Sequence, residues 1–244
     1  MLCIKCIIKP HMRVTQTCQN LSLRLLTTKG EISQSLTFEV PSYFSLCDKL
    51  LQNQKLAQDL VETMTVHYDF LSESEETSLM NELDPYMKKL HYEFDHWDDA
   101  IHGYRETERM NWNEANNKIL DRVRNIAFPP EVSPIKYVHI LDLDKKGWIK
   151  PHIDAVRFCG DTIAGLSLLT DSIMRLVQDK NKDLYADVLL KRRSLYIMKA
   201  VARFEYTHEI LSNENSIFKD EKIFKDRRIS VICRNEPDSK YKDR

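Results

Sequence analysis

The period of the hydrophobic positions changes near Pro134. Before it, apolar residues recur at intervals of three and four. Leu50, Leu51, Leu56, Leu60 and Val61 suit a short helix. Ser72 followed three residues on by Glu75 is a capping box, in which each side chain satisfies a backbone N–H at the helix start. Met80, Leu83 and Met87 behind it keep helical spacing, which predicts a helix over 73–89. Asn116 to Val123 offers a second amphipathic helix, stopped before Pro129-Pro130 because proline lacks the N–H that would extend it. After Pro134 the apolar runs are short and separated by polar turns, and 135–143, 163–169, 173–177, 194–198 and 229–233 read as strands. Several short strands at modest spacing predict a mainly β protein with flanking helices (α+β), its core a sandwich or double-sheet jelly roll.

Composition agrees. The chain has 244 residues, 42% of them hydrophobic, enough apolar surface for a substantial core, and only 5 glycines and 8 prolines, which excludes a fibrous or low-complexity chain. The formal net charge of −1 gives no electrostatic reason to expect a nucleic-acid binder. Six scattered cysteines do not form a disulfide framework, and Cys3-x-x-Cys6 is half a zinc ribbon with no second pair. The first 30 residues hold Lys5, Lys9, Arg13, Arg24 and Lys29, with Ser and Thr and no acid before Glu31. Such a start reads as a mitochondrial transit peptide over 1–30, with a disordered basic tail as the bland alternative. Its removal leaves 31 basic residues against 37 acidic ones, a net charge of −6. No apolar run approaches the ~20 residues of a membrane helix, so no span is expected.

The candidate chemistry begins with His152-Ile153-Asp154. On a strand or its edge, positions i and i+2 project to one face, so an imidazole and a carboxylate can converge on one metal. A further histidine, His208, lies 54 residues after Asp154 and completes a 2-His-1-carboxylate facial triad. In the segment from Arg228 to Arg234, alternation puts Arg228, Ser230, Ile232 and Arg234 on one face and Ile229, Val231 and Cys233 on the other. Arginines directed inward need an anion, and a guanidinium fork suits a carboxylate; the alternative is two edge arginines in solvent. A zinc hydrolase could use the same three ligands but leaves the arginines unexplained. His96-Trp97-Asp98 is a rival HxD, since His152 lies 54 residues beyond Asp98, but no strand with paired arginines follows it at the right distance. His208-Glu209 is not a zincin motif, because Ser212 stands where the second histidine belongs. His139, on an apolar strand, reads as a satisfied structural histidine.

An HxD, a later histidine and R-x5-R about 20 residues beyond follow the order found in AlkB-type Fe(II)/2-oxoglutarate dioxygenases. Longer stretches resemble the mitochondrial branch of that family. They are His91-Tyr92-Glu93-Phe94-Asp95-His96-Trp97-Asp98, Ala100-Ile101-His102-Gly103-Tyr104-Arg105-Glu106-Thr107-Glu108, and Lys150-Pro151-His152-Ile153-Asp154. Phe158-Cys159-Gly160 with Ile163-Ala164-Gly165-Leu166-Ser167-Leu168-Leu169, and Arg227-Arg228-Ile229-Ser230-Val231-Ile232-Cys233-Arg234, match as well. The resemblance covers roughly 69–235. It implies a double-stranded β-helix (a jelly-roll, cupin-like core), Fe(II) at His152, Asp154 and His208, and 2-oxoglutarate contacts from Arg228 and, by the family pattern, from Tyr196, Ser230 and Arg234. Residues 31–68 then form a variable N-terminal segment, 69–235 the dioxygenase domain, and 236–244 a frayed tail.

The resemblance implies 2-oxoglutarate and O2 as cosubstrates and the mitochondrial matrix as location. AlkB repair enzymes carry N-x-Y before the HxD; here Leu141-Asp142-Leu143 stands there, which implies different anchoring of the cosubstrate and argues against base repair. The mixed charges of 91–124, including Arg105, Arg109, Arg122 and Arg124, read as a solvated surface. The expected substrate is therefore a protein, with a regulatory role in mitochondrial fatty-acid metabolism and programmed necrosis carried over from the branch. Demethylation of mitochondrial RNA and a non-catalytic interaction role on the same fold are the alternatives.

Overall fold

The computed structural model describes residues 38–94 and 101–238. The transit-peptide segment, Cys3-x-x-Cys6, His96-Trp97-Asp98 and residues 239–244 lie outside the described residues. In chain order the elements are β1 (Phe44–Leu46), α1 (Asp48–Gln52), α2 (Gln54–Thr63), β2 (Met64–His67), α3 (Glu73–Met87), β3 (Ile101–Arg109), α4 (Glu114–Ala127), β4 (Val138–His152), β5 (Thr162–Leu168), β6 (Ser172–Gln178), β7 (Tyr185–Leu190), β8 (Ser194–Lys199), α5 (Ala200–Phe204), β9 (Tyr206–Ile210), β10 (Ile217–Phe218), β11 (Glu221–Lys222) and β12 (Arg228–Arg234).

The capping box forms as the sequence predicts: Glu75 N–H donates to Ser72 Oγ at 3.1 Å and Ser72 N–H to Glu75 Oε2 at 2.9 Å. The second amphipathic segment becomes α4, capped by Asn113 and ended before the prolines. The five predicted strands all form, and β4 runs nine residues further than expected, to His152. The strand continues through the polar Asp144-Lys145-Lys146, which a bulge against β3 accommodates. There Gly103 adopts φ 65° and Gly147 packs so tightly that a Cβ would overlap the Gly103 carbonyl oxygen.

Strand β4 makes the architecture. The sheet order is β1-β7-β6-β9-β4-β12-β5-β8-β2, with β3 also on β4. The first half of β4 pairs with β12 (Leu143 opposite Arg228, His139 opposite Ile232), and its end pairs with β9 (Ile149 opposite Ile210, His152 opposite His208). One strand thus belongs to both halves, and the antiparallel sheet curls into the double-stranded β-helix. Phe44, Leu60, Met64, Leu141, Met174, Val188, Tyr206 and Ile210 form the core between the halves. Outside, Leu79, Leu83 and Met87 of α3 and Ile119, Leu120 and Val123 of α4 cover Leu166, Ile229 and Val231. The alternation of β12 is as predicted: Ile229, Val231 and Cys233 face this helical layer, while Arg228, Ser230, Ile232 and Arg234 line an inner cavity.

Candidate metal and cosubstrate site

Two stretches of the chain 54 residues apart, His152-Ile153-Asp154 and His208, meet at the wall of the cavity. Among the described residues, His152, Asp154 and His208 form the one group of donors with all ligating atoms within 4.8 Å of one another. Nε2 of His152 lies 3.2 Å and Nε2 of His208 3.8 Å from the same oxygen, Oδ1 of Asp154. The hydrogen-bonded register of β4 and β9 sets the histidines opposite each other, ring centroids 4.2 Å apart. Asp154 arrives differently from the expectation. β4 ends at His152, so the carboxylate comes from the following loop rather than from position i+2 of a strand.

The surroundings suit a cation. His152 Nδ1 sits 2.9 Å from the Lys150 carbonyl, which fixes the proton on Nδ1 and leaves Nε2 to ligate. Burial, reinforced by the neighbouring His152, pushes the pKa of His208 down to about 3, so its ring is neutral at ordinary pH. Burial alone would raise the pKa of Asp154. The His152 hydrogen bond and the charges of His208, His152 and Arg203 outweigh it and hold the carboxyl below the usual range, ready as an anionic ligand. Arg203 is itself fully buried, and its Nη2 donates to Cys159 Sγ at 3.2 Å.

The cavity beside the triad, about 420 Å³, is lined in part by the polar side chains of Tyr196, Arg228 and Ser230. Arg228 is 1% exposed. Its Nε donates to Ser167 Oγ at 3.2 Å, while Nη2 makes no hydrogen bond, and the Tyr196 hydroxyl lies beside both the guanidinium and Ser230. Strand register lines up Ser230, Ser167 and Ser194 in one row across β12, β5 and β8. Tyr196 is buried beside Arg228 and Ser230; burial raises its pKa and Arg228 pulls it back, so the phenol stays a donor. A buried guanidinium with an orphaned donor, among hydroxyls, fits a carboxylate end group. The donor set and this cradle therefore fit Fe(II) and a keto diacid. The sequence pointed to Arg228, Ser230 and Tyr196, but not to Ser167 or Ser194, whose place emerges only from the register.

Arg234 is brought to the rim rather than to the cradle: it pairs with Glu108 Oε1 at 2.8 Å. His139 is satisfied, by Glu106 at 2.7 Å, but it faces the cavity rather than the apolar core. The expectation of a solvated charged surface over 91–124 fails in several places. Arg105 is buried against Asp142 at 2.8 Å and stacks on Tyr92 at 4.3 Å, and Arg109 pairs with Glu82 at 2.9 Å, whereas Arg122, paired with Glu75 at 2.7 Å, keeps a solvated side chain. Asp142, the centre of Leu141-Asp142-Leu143, is 0% exposed and turns to the back of β4. There it accepts from Arg105, from Arg227 Nη2 at 2.8 Å and from Tyr92 at 3.1 Å. Leu141 faces the cavity instead.

The sequence model of the 2OG-Fe(II) oxygenase superfamily matches residues 43–234, from β1 to the end of β12. The chain belongs to this superfamily. As one of its members it is an Fe(II)- and 2-oxoglutarate-dependent dioxygenase. Within the superfamily it groups with mitochondrial AlkB homologues. It is 50% identical over 173 residues to the alpha-ketoglutarate-dependent dioxygenase alkB homolog 7, mitochondrial, of Mus musculus, covering 71% of this chain and 78% of the relative. The Bos taurus protein of the same name is 49% identical over 179 residues, covering 73% and 81%. A prolyl-4-hydroxylase from Pseudomonas putida shares the oxygenase fold, with a TM-score of 0.53 at 14% identity, over 76% of this chain and 98% of that one.

Proposed function

We propose that this dioxygenase hydroxylates a protein substrate in the mitochondrial matrix, its iron held by His152, Asp154 and His208 and its 2-oxoglutarate by Arg228, with Tyr196, Ser230 and Arg234 contributing. The single observation that carries the site is the convergence of three donors beside a buried arginine whose Nη2 has no partner. When bound, Fe(II) and 2-oxoglutarate activate O2 for C–H oxidation, with release of succinate and CO2. The chain's own part is to bind, orient and exclude water. Arg228 neutralises the far carboxylate, Tyr196 and Ser230 offer hydroxyls to it, and Ile149, Met174, Met198 and Ile210 line the space beside the triad with apolar surface. Arg234 would reach a ligand only by sharing itself with Glu108.

Protein is favoured over nucleic acid by the rim, where Glu106 and Glu108 hold His139 and Arg234. A phosphate backbone would have to rely on the exposed Arg157 at this edge, since the other rim cation, Arg234, is held by a carboxylate. Demethylation of mitochondrial RNA is the second reading; a Caenorhabditis elegans protein named DNA N6-methyl adenine demethylase, 25% identical over 168 residues, supports a nucleic-acid substrate only in general. The names of the mammalian relatives and the basic, acid-free first 30 residues support import into mitochondria, with 1–30 as the removable leader and 69–235 as the catalytic unit. A regulatory role in fatty-acid metabolism and programmed necrosis is the physiological reading we attach to it.

The test is an anaerobic titration with Fe(II) and 2-oxoglutarate, followed by the metal-to-ligand charge-transfer band, with His152→Ala as control. A band that never appears, or one that survives the substitution, removes the site. Succinate release in air, measured with mitochondrial peptides or RNA added, separates the substrates. RNA-stimulated turnover that falls steeply with salt would replace the protein reading.

A further inference from the structure

Gly165 and Tyr196 are register partners on β5 and β8, and the tyrosine ring lies over the bare backbone of the glycine. A Cβ at position 165 would overlap two ring carbons and the phenol oxygen. Among the described residues, Gly103 is the one glycine with a positive φ, so Gly165 holds ordinary strand backbone that alanine adopts without strain. The demand for glycine here is therefore steric, a case of close approach rather than of conformational freedom.

The strand cannot retreat to make room. β5 pairs with β12 on one side and β8 on the other, and the outward-facing neighbours Ala164 and Leu166 are fully buried in the layer beneath α3 and α4. Close-packed interiors transmit such an overlap to whatever can move. Here that is the ring, and its free direction is into the cavity it shares with Arg228 and the His–Asp–His triad.

We propose that Gly165 is a specificity-determining position for the cosubstrate. By letting the Tyr196 ring lie flat on the sheet, it keeps the passage between the triad and Arg228 wide enough for 2-oxoglutarate. Gly165 is a positioning residue, acting wholly through Tyr196. The inference rests on the reading of Arg228 and Tyr196 as the cosubstrate cradle.

The experiment measures 2-oxoglutarate binding by titration calorimetry to the Mn(II)-loaded full chain, together with thermal melting of each variant. Gly165→Ala weakens 2-oxoglutarate about tenfold or more while Mn(II) affinity is unchanged. In a Tyr196→Ala background the same glycine substitution changes binding less than about twofold, because the obstacle is gone. Undiminished binding in Gly165→Ala, or an equal loss in both backgrounds, overturns the proposal. Should Gly165→Ala melt too early to titrate, or Tyr196→Ala bind too weakly, melting decides. A double variant as stable as Tyr196→Ala supports the overlap, and one that adds a full Gly165→Ala penalty refutes it. Arg228→Met tests the underlying cradle separately: if it binds 2-oxoglutarate like the wild type, the cradle reading fails, whatever Gly165→Ala does.

Discussion

Arg228 shows how one residue can carry both a cost and a use. A fully buried guanidinium with an unpartnered nitrogen is expensive in a closed protein, and here that nitrogen belongs to a side chain lining the same cavity as the His–Asp–His group that could hold a metal. Hydrogen bonds to charged groups contribute about 1.5–3 kcal/mol each. Arg228→Met should therefore weaken 2-oxoglutarate by roughly ten- to a hundredfold while leaving Mn(II) affinity intact, as calorimetry of each ligand would record. His208 supplies a pH signature. Its folded-state pKa of about 3 lies below the 6.5 of an unfolded histidine, so the unfolded chain binds more protons between these values. Stability of the metal-free protein should then fall as pH drops from about 6.5 toward 3. The depressed carboxyl of Asp154 adds loss in the same direction below about pH 4. Melting temperature against pH should show this slope, and His208→Asn should flatten its upper part.

At the scale of elements, the Asp142 network ties strands and a helix that the alternation of single segments would not connect. One carboxylate joins Arg105 of β3 and Arg227 at the entry to β12, and Arg227 Nη2 continues to Asp84 of α3 at 2.9 Å. Removing one partner of a buried charge network leaves the others uncompensated, at about 3–5 kcal/mol. Asp142→Asn should approach that loss in chemical denaturation, whereas Asp183→Asn, in the exposed pair with Lys49, should change little. The cap of α3 is a milder case: Ser72→Ala should cost about 1 kcal/mol in the same measurement. This helix was legible from its capping box and its apolar spacing, both local signals. β3 was not. Tyr104, Glu106 and Glu108 on one face and Arg105, Thr107 and Arg109 on the other leave no polar–apolar alternation to read, because charged residues that pair within the fold stand on both faces. β9 escaped notice too, although Tyr206, His208 and Ile210 do alternate, because Thr207 and Glu209 make so short a strand look like a turn.

Over the whole molecule, the site lies where β4 passes from one half of the curled sheet to the other. Ligands bound there contact both halves, so they should stabilise the fold as a unit. At a hundred times its dissociation constant a ligand adds about 2.7 kcal/mol, and for a domain of this size each kcal/mol raises Tm by about 2–4 °C. Mn(II) with 2-oxoglutarate should therefore raise Tm by several degrees in wild type, and His152→Ala should abolish the metal-dependent part in a melting scan. The sequence by itself determined the class of fold, the capping box of α3, five of the strands and the two faces of β12, because each is encoded in neighbouring residues through period and capping. Its motifs also marked which side chains to watch. Only the tertiary structure decided that Asp154 comes from a loop, that Arg234 stays at the rim with Glu108, that Ser167 backs Arg228, and that a bare glycine lies beneath Tyr196. Those facts depend on register between strands tens of residues apart, and a pairing that closes across the barrel leaves no periodic trace in either strand alone.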